Sequence, residues 1–334
     1  MDQTLNYSRQ IVDFFTSEKF IPFQNSPESG CIFDLVELLD QSVKFILPER
    51  GEILESISNE FKRDWIDLMF MPYPISAFEI PFNYDGLEVE QVDGLAHQIE
   101  APKRVALCWN PKDPNPTIQR INKIIANYDV FKLSENYIIG DPDTYDGFCM
   151  VVFFYDNRDK EWKHTAAGAF YPYDINVDSD QIGLAGRPIN VFPDLLQYHY
   201  IYQHNGNRET LLQQIWHDIS YETWCVLQAC CVLNCENIST RDIVPPAKIQ
   251  KHRVKNKQAP LYIYKTLEIK ATGVGYDSQN SASGSGSSKK THLRRGHLRR
   301  LQSKKVIWVK SAIVGAANQN KGQIHKDYAI KSSN

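Results

Sequence analysis

The chain has 334 residues, of which 42% are hydrophobic and 12% aromatic; this is enough apolar sequence for a sizeable core and excludes a disordered or fibrous protein. The formal net charge of −3 conceals an asymmetry. Residues 248–334 hold 19 Lys and Arg against 3 Asp and Glu, a net charge of +16, whereas residues 1–247 carry −19. A segment this basic indicates an anionic partner.

No stretch approaches the roughly 20 apolar residues that a membrane-spanning helix needs. Met1–Gln10 lacks a basic segment followed by an apolar one, so we expect no secretory signal, no membrane association and a cytoplasmic location. The seven cysteines are odd in number and show no zinc-ligand spacing. We therefore predict buried free thiols, no bound metal and no cofactor.

In chain order, the pattern first predicts helices over Tyr7–Phe15, Phe33–Phe45 and Glu52–Phe61. The second of these carries apolar residues in a helical rhythm. From Trp65 to Phe82 the sequence turns β-type and is broken by prolines, which predicts a hairpin or edge strands.

Two strong strand candidates follow, Val105–Trp109 and Phe148–Tyr155. The second is apolar throughout, as expected of a strand buried on both faces. Thr165–Tyr171 is expected to pair with it across a polar turn. Tyr198–His204 alternates aromatic and polar residues, which fits a half-buried strand or helix and, as the second interpretation, the wall of a groove.

Asn207–Cys235 is the strongest helical region. Asn207 is placed to cap its start, and apolar residues then recur along one side. Trp224–Leu233 is apolar nearly all round, which predicts a central core helix.

After Pro245 and Pro246 come a basic run to Lys257, a predicted strand over Pro260–Ile269 and a Ser/Gly-rich segment at 277–288 that we expect to be a flexible loop. A β-rich stretch closes the chain. The sequence thus predicts the α+β class, with an acidic mixed body at 1–245, which includes the central apolar helix, and a basic β-rich region at 246–334.

The basic region supplies the candidate nucleic-acid contacts, because arginine and lysine side chains match phosphate oxygens. Trp308 and Tyr328 would add stacking surfaces for bases, a feature that favours single-stranded RNA over DNA. The candidate binding residues are Lys251, Arg253, Lys255, Arg294, Arg295, Arg299, Arg300, Lys304, Lys305 and Trp308.

Two alternatives stay open. The basic region would also suit docking on the acidic body or on a host or phage protein. A metal-independent ribonuclease is the other alternative, with His292 and His297 as base and acid. Lys326 would then stabilise the phosphorane charge together with the arginines, and Tyr328 would act as an acid or positioning group.

The C-terminal third resembles a group of uncharacterised proteins of tailed phages and prophages. The matching residues are Pro245-Pro246-x-Lys248, Pro260-Leu261-x-x-Tyr264, Arg294-Arg295-Gly296-His297-x-Arg299-Arg300, Ile307-Trp308-Val309, Val314-Gly315 and Lys326-Asp327-Tyr328. The resemblance covers about 90 residues well and implies a mobile-element protein in a bacterial host cell. It implies no activity, although interference with host processes or counter-defence would suit such a protein.

Overall fold

A computed structural model describes residues 5–20, 31–51, 53, 68–82, 101–127, 146–173, 186–269, 292–294, 297–309 and 312–314. At 127, 269, 292–294, 297 and 312–314 the description is of the backbone alone. The helix predicted over 52–61 and the loop predicted at 277–288 lie outside these ranges.

The fold has six α-helices in the described ranges and one large sheet. The helices are α1 (Tyr7–Phe15), α2 (Ile32–Gln41), α3 (Pro116–Asn127), α4 (Pro193–Tyr198), α5 (Arg208–Leu233) and α6 (Ala247–Lys255). A π-helical turn, His199–Gln203, continues α4. Within the described part of the chain, no helix is both long and apolar enough to cross a bilayer.

Within the described ranges, nine strands form the large sheet, in the spatial order β7-β6-β4-β3-β2-β1-β9-β8, with β5 paired to β4. They are β1 (Val43–Ile46), β2 (Ile75–Pro81), β3 (Lys103–Trp109), β4 (Gly147–Asp156), β5 (Glu161–His164), β6 (Gly168–Pro172), β7 (Arg187–Ile189), β8 (Ile238–Ile243) and β9 (Tyr264–Ile269). β1 is parallel to both of its neighbours, and the other pairs are antiparallel. Helices with a mixed sheet agree with the predicted α+β class.

Two small ladders lie outside this sheet: β10 (His292–Arg294) pairs with β13 (Ala312–Val314), and β11 (His297–Arg300) pairs with β12 (Val306–Val309). Both ladders are antiparallel and belong to the region predicted to be β-rich.

Helices cover the sheet on both faces, and β4 shows why its sequence is apolar throughout. Phe148, Met150 and Val152 pack on the side of α5, while Cys149 and Val151 pack among residues of α1, α2 and α3. The prediction that this strand is buried on both faces is confirmed. The predicted partner segment, Thr165–Tyr171, contains most of β6, which pairs with β4, but the strand directly across the turn is β5, which was not predicted.

Two predicted elements are wrong. The helix expected over 33–45 ends at Gln41, because Ser42 is extended and residues 43–46 form β1. The strand after Pro74 is not at an edge: β2 lies between β1 and β3. Its prolines do not interrupt the ladder, since Pro74 precedes the strand and Pro81 ends it.

α5 begins as the sequence indicates, with the side chain of Asn207 accepting hydrogen bonds from the backbone N–H groups of Glu209 and Thr210. The sheet continues past the boundary expected at residue 245, because β9 pairs with both β1 and β8. All seven cysteines are free and buried, as predicted.

Candidate functional site

α6 is held against the protein by one of its faces. The side-chain amide of Gln250 donates to the carbonyl of Leu261 and accepts from the N–H of the same residue, both at 2.8 Å. Arg253 donates to the carbonyl of Ala259 at 2.6 Å and to Asp13 at 3.0 Å. The guanidinium of Arg253, a predicted phosphate contact, is therefore already engaged by a carboxylate and a backbone carbonyl of this chain.

The opposite face of α6 is a row of lysines. Lys248, Lys251 and Lys255 follow the spacing i, i+3, i+7, which places them on one side of a helix. All three side chains are exposed. No ion pair joins any of them to a carboxylate in the described part of the chain. We call these three residues the lysine face.

The β11–β12 hairpin carries the second group of predicted cations. Arg299 and Arg300 are exposed, and Arg300 donates to the carbonyl of Lys304 at 3.3 Å. Lys304 and Lys305 lie in the exposed turn, where Lys305 pairs with Glu236 at 3.2 Å. The hairpin therefore presents cations to solvent while one of them is partly neutralised.

Trp308 does not offer a surface for base stacking. Its side chain is 3% exposed and packs in the core on the α5 side of the sheet. Its backbone N–H donates to Asn237 at 2.9 Å, and its carbonyl accepts from the same side chain at 2.8 Å. The stacking role predicted for this ring is corrected to an anchoring role, because a buried ring has no free face.

The two cationic groups flank the edge strand β8. Asn237 and Glu236, just before β8, contact β12, and α6 follows shortly after the strand ends. Six residues of extended strand span about 20 Å. The lysine face and the hairpin therefore lie near opposite ends of one sheet edge.

The proposed catalytic residues are not brought together by anything described. His292 lies in the β10–β13 ladder, opposite Val314, and His297 lies in the β11–β12 ladder, opposite Val309. For both histidines and for Arg294 only the backbone is described; Arg295, Lys326 and Tyr328 fall outside the described residues.

A cavity of about 480 Å³, which the sequence analysis missed, lies between α5, the β4–β5 hairpin and α1. One wall is a polar stripe on α5 with the spacing i, i+3, i+4, i+8, formed by Gln214, His217, Asp218 and Glu222. The lining also has an aromatic part, the aromatic wall, which includes Phe14, Phe15, Phe20, Phe154 and Trp162. The signal available in the sequence was the recurrence of these four polar residues at the spacing of one helix face.

The α4 side of this cavity agrees with both interpretations of the segment Tyr198–His204. Residues 198–203 are helical, which is one of the two forms expected, and His199 and Gln203 line the cavity. The groove interpretation of this segment therefore holds for two of its residues. Tyr198 and Tyr202 are instead exposed, at 53% and 71%.

Titratable groups in the cavity are displaced from their usual pKa values. Burial lowers the pKa of His164 to about 4, so this ring is neutral at pH 7. The neighbouring Asp218 carboxylate raises the pKa of His217. Burial lowers the pKa of His199. Within the described ranges, no three His, Cys, Asp or Glu side chains are grouped so that they would hold a metal ion.

Comparison with known proteins adds no family to this picture. No protein-family model, curated protein sequence or solved structure matches the chain.

Proposed function

We propose that the protein binds nucleic acid along the β8 edge of its sheet, through the lysine face of α6 and the cations of the β11–β12 hairpin. The observation that carries the proposal is the lysine face, which is exposed and lacks a carboxylate partner among the described residues. Lysines in such a row suit successive phosphates of a strand.

The spacing of the two groups suits a strand better than a compact anion. The length of β8, about 20 Å, corresponds to about six nucleotides of a duplex at an axial rise of 3.4 Å. The edge strand between them also carries Arg241, which is exposed. A polyanion lying along β8 would thus meet cations at both ends and in the middle.

RNA stays the favoured nucleic acid, although Trp308 no longer supports the choice. The remaining reasons are the stacking surface predicted for Tyr328, which lies outside the described residues, and the absence of a recognisable helix-turn-helix pattern in the sequence. Single-stranded RNA, single-stranded DNA and a DNA duplex of the same length are therefore separate arms of one experiment.

The test is fluorescence anisotropy with 20-nucleotide labelled probes at 50–200 mM salt. Lys251→Gln/Lys255→Gln should weaken RNA binding and reduce the salt slope by about 1.4, the value for two lost contacts on a single strand. The matched control is Lys123→Gln/Lys160→Gln, which removes the same charge from exposed positions on other elements. It should retain at least half of the affinity.

The proposal fails if the control pair loses as much affinity as the α6 pair, because binding would then follow net charge alone. It also fails if no probe binds at 50 mM salt, an outcome that would favour an acidic protein as the partner. The RNA probe is recovered after incubation in EDTA and run on a gel. Cleavage that His297→Ala abolishes would support the ribonuclease alternative.

A further inference from the structure

The charges that line the cavity beside α5 indicate a second function, separate from nucleic-acid binding. Its cations are each held by a carboxylate of this chain. Arg104 contacts Glu222 at 2.6 Å, with both side chains largely buried. Lys163 contacts Asp156 at 2.8 Å and lies against Asp159 as well. These cations are therefore already compensated and leave little positive charge for an anionic ligand.

Asp218 is the carboxylate on the wall that differs. The amide of Gln214, a neutral group, donates to it at 2.6 Å and fixes its position. The Nδ1 atom of His217 lies 3.8 Å away. No lysine or arginine pairs with Asp218 within the described ranges. Its side chain is 36% exposed, so a ligand in the cavity can reach it.

Glu222 adds a second acceptor to the same stripe of α5. Its Oε1 atom takes the hydrogen bond from Arg104, while Oε2 is buried and accepts none from the described residues. A buried acceptor without a donor costs free energy. The stripe thus carries more acceptor capacity than the chain itself satisfies.

The aromatic wall favours the same sign of charge in a ligand. The rings of Phe14, Phe15 and Phe20 contact one another with centroids 5.1–5.2 Å apart. The ammonium group of Lys19 already lies 5.7 Å from the Phe14 centroid and 5.5 Å from that of Phe20. Ring faces attract cations, and flat apolar bodies pack well against them.

We propose that this cavity binds a small organic cation with a flat apolar body, such as an arylamidine, with its charge directed at Asp218 and its body against the aromatic wall of Phe14, Phe20 and Trp162. The volume of about 480 Å³ falls within the range of small-molecule sites. The acceptors on α5 would take the N–H donors of the ligand.

The test uses isothermal titration calorimetry of the full chain with three isosteric probes: benzamidine, a cation; benzamide, which is neutral; and benzoate, an anion. Benzamidine should bind at least tenfold more tightly than benzamide, and benzoate should not bind. Equal affinity for the three, or no binding of benzamidine at millimolar concentration, would overturn the proposal. This comparison needs no variant.

Two variants then locate the site. Asp218→Asn keeps the size of the side chain and should weaken benzamidine binding about tenfold while leaving benzamide unaffected. Glu209→Gln is the matched control, because it removes one negative charge from an exposed position in the first turn of the same helix. Its affinity should stay within twofold of the parent. Equal losses in the two variants would contradict a role for Asp218.

Discussion

The hydroxyl of Tyr264 donates a 2.5 Å hydrogen bond to Oε1 of Glu79, so that β9 and β2 are joined across β1, the strand between them. The same oxygen accepts from the N–H and the hydroxyl of Ser8 in α1, at 2.6 and 2.8 Å. Glu79 is fully buried, and burial raises its pKa despite these donors. One carboxylate therefore ties the first helix, the body of the sheet and a strand that follows residue 245.

Tyr264→Phe is expected to lower the free energy of unfolding by about 1–2 kcal/mol, because it removes a buried hydrogen bond to a carboxyl group and leaves its other donors in place. Urea denaturation at pH 7 measures the change. Tyr262→Phe is the matched control: its hydroxyl donates to the exposed Asp40, so the loss should be below about 0.5 kcal/mol. Equal losses would show that the buried hydrogen bond to Glu79 stabilises the fold no more than the hydrogen bond to the exposed Asp40 does.

Lys44 in β1 should make stability depend on pH. Its ammonium group donates to the carbonyls of Asp40 and Ser42, but burial lowers its pKa to about 8. The usual pKa in the unfolded chain is about 10.4. Between these values the unfolded state binds more protons, so this residue makes the free energy of unfolding rise with pH, by at most about 1.4 kcal/mol per unit.

The check is Lys44→Met, compared with the parent by urea denaturation from pH 7 to 10. Other groups titrate in both proteins, and their effects cancel in the difference. The parent should gain stability relative to the variant above pH 8. Parallel curves over the whole interval would mean that the Lys44 pKa is not lowered.

The sequence was informative where burial and periodicity agree. The strand around Met150 can be predicted from the sequence because both of its faces are buried. The cap at Asn207 can be predicted because capping depends only on neighbouring residues. Residues 43–46 were misassigned since Val43 and Ile46 suit a helical rhythm as well as a strand, and only pairing with β2 and β9 decides.

In the candidate sites, too, features set by local sequence can be predicted and features set by distant contacts cannot. The exposed lysines of α6 follow from composition, because few apolar residues accompany them. The burial of Trp308 does not, since it depends on contacts with Asn237, 71 residues earlier in the chain. The sequence shows the polar stripe of α5 but not the cavity itself, because the aromatic side chains that complete the lining come from elements distant in sequence.

The buried thiols should be unreactive in the native protein. Burial raises the pKa of Cys230 and Cys235 to about 12 and that of Cys108 and Cys149 well above the usual value. Because the thiolate is the reactive form, Ellman's reagent at pH 8 should titrate none of the seven thiols in the native state within minutes and all of them in guanidinium.

The same thiols work against stability at high pH. The folded-state pKa values of Cys108, Cys149, Cys230 and Cys235 are raised above the unfolded value of about 8.5, so the unfolded chain loses protons first and stability falls as the pH rises past that value. Rapid titration of even one thiol in the native protein at pH 8 would contradict the burial of the cysteines.

Trp308 should affect stability and leave nucleic-acid binding unchanged. Trp308→Ala is expected to cost about 3–5 kcal/mol, because it empties a large buried volume. Trp308→Phe keeps part of the ring and should cost less, so that a folded protein is available for anisotropy with the RNA probe. Arg299→Gln is the opposite control, at an exposed position in the register pair next to that of Trp308: it should weaken binding and change the unfolding free energy by less than about 0.5 kcal/mol. If Trp308→Phe is as stable as the parent yet binds RNA tenfold more weakly, the ring of Trp308 contacts bases. The buried position of this ring would then not be its position in the RNA complex.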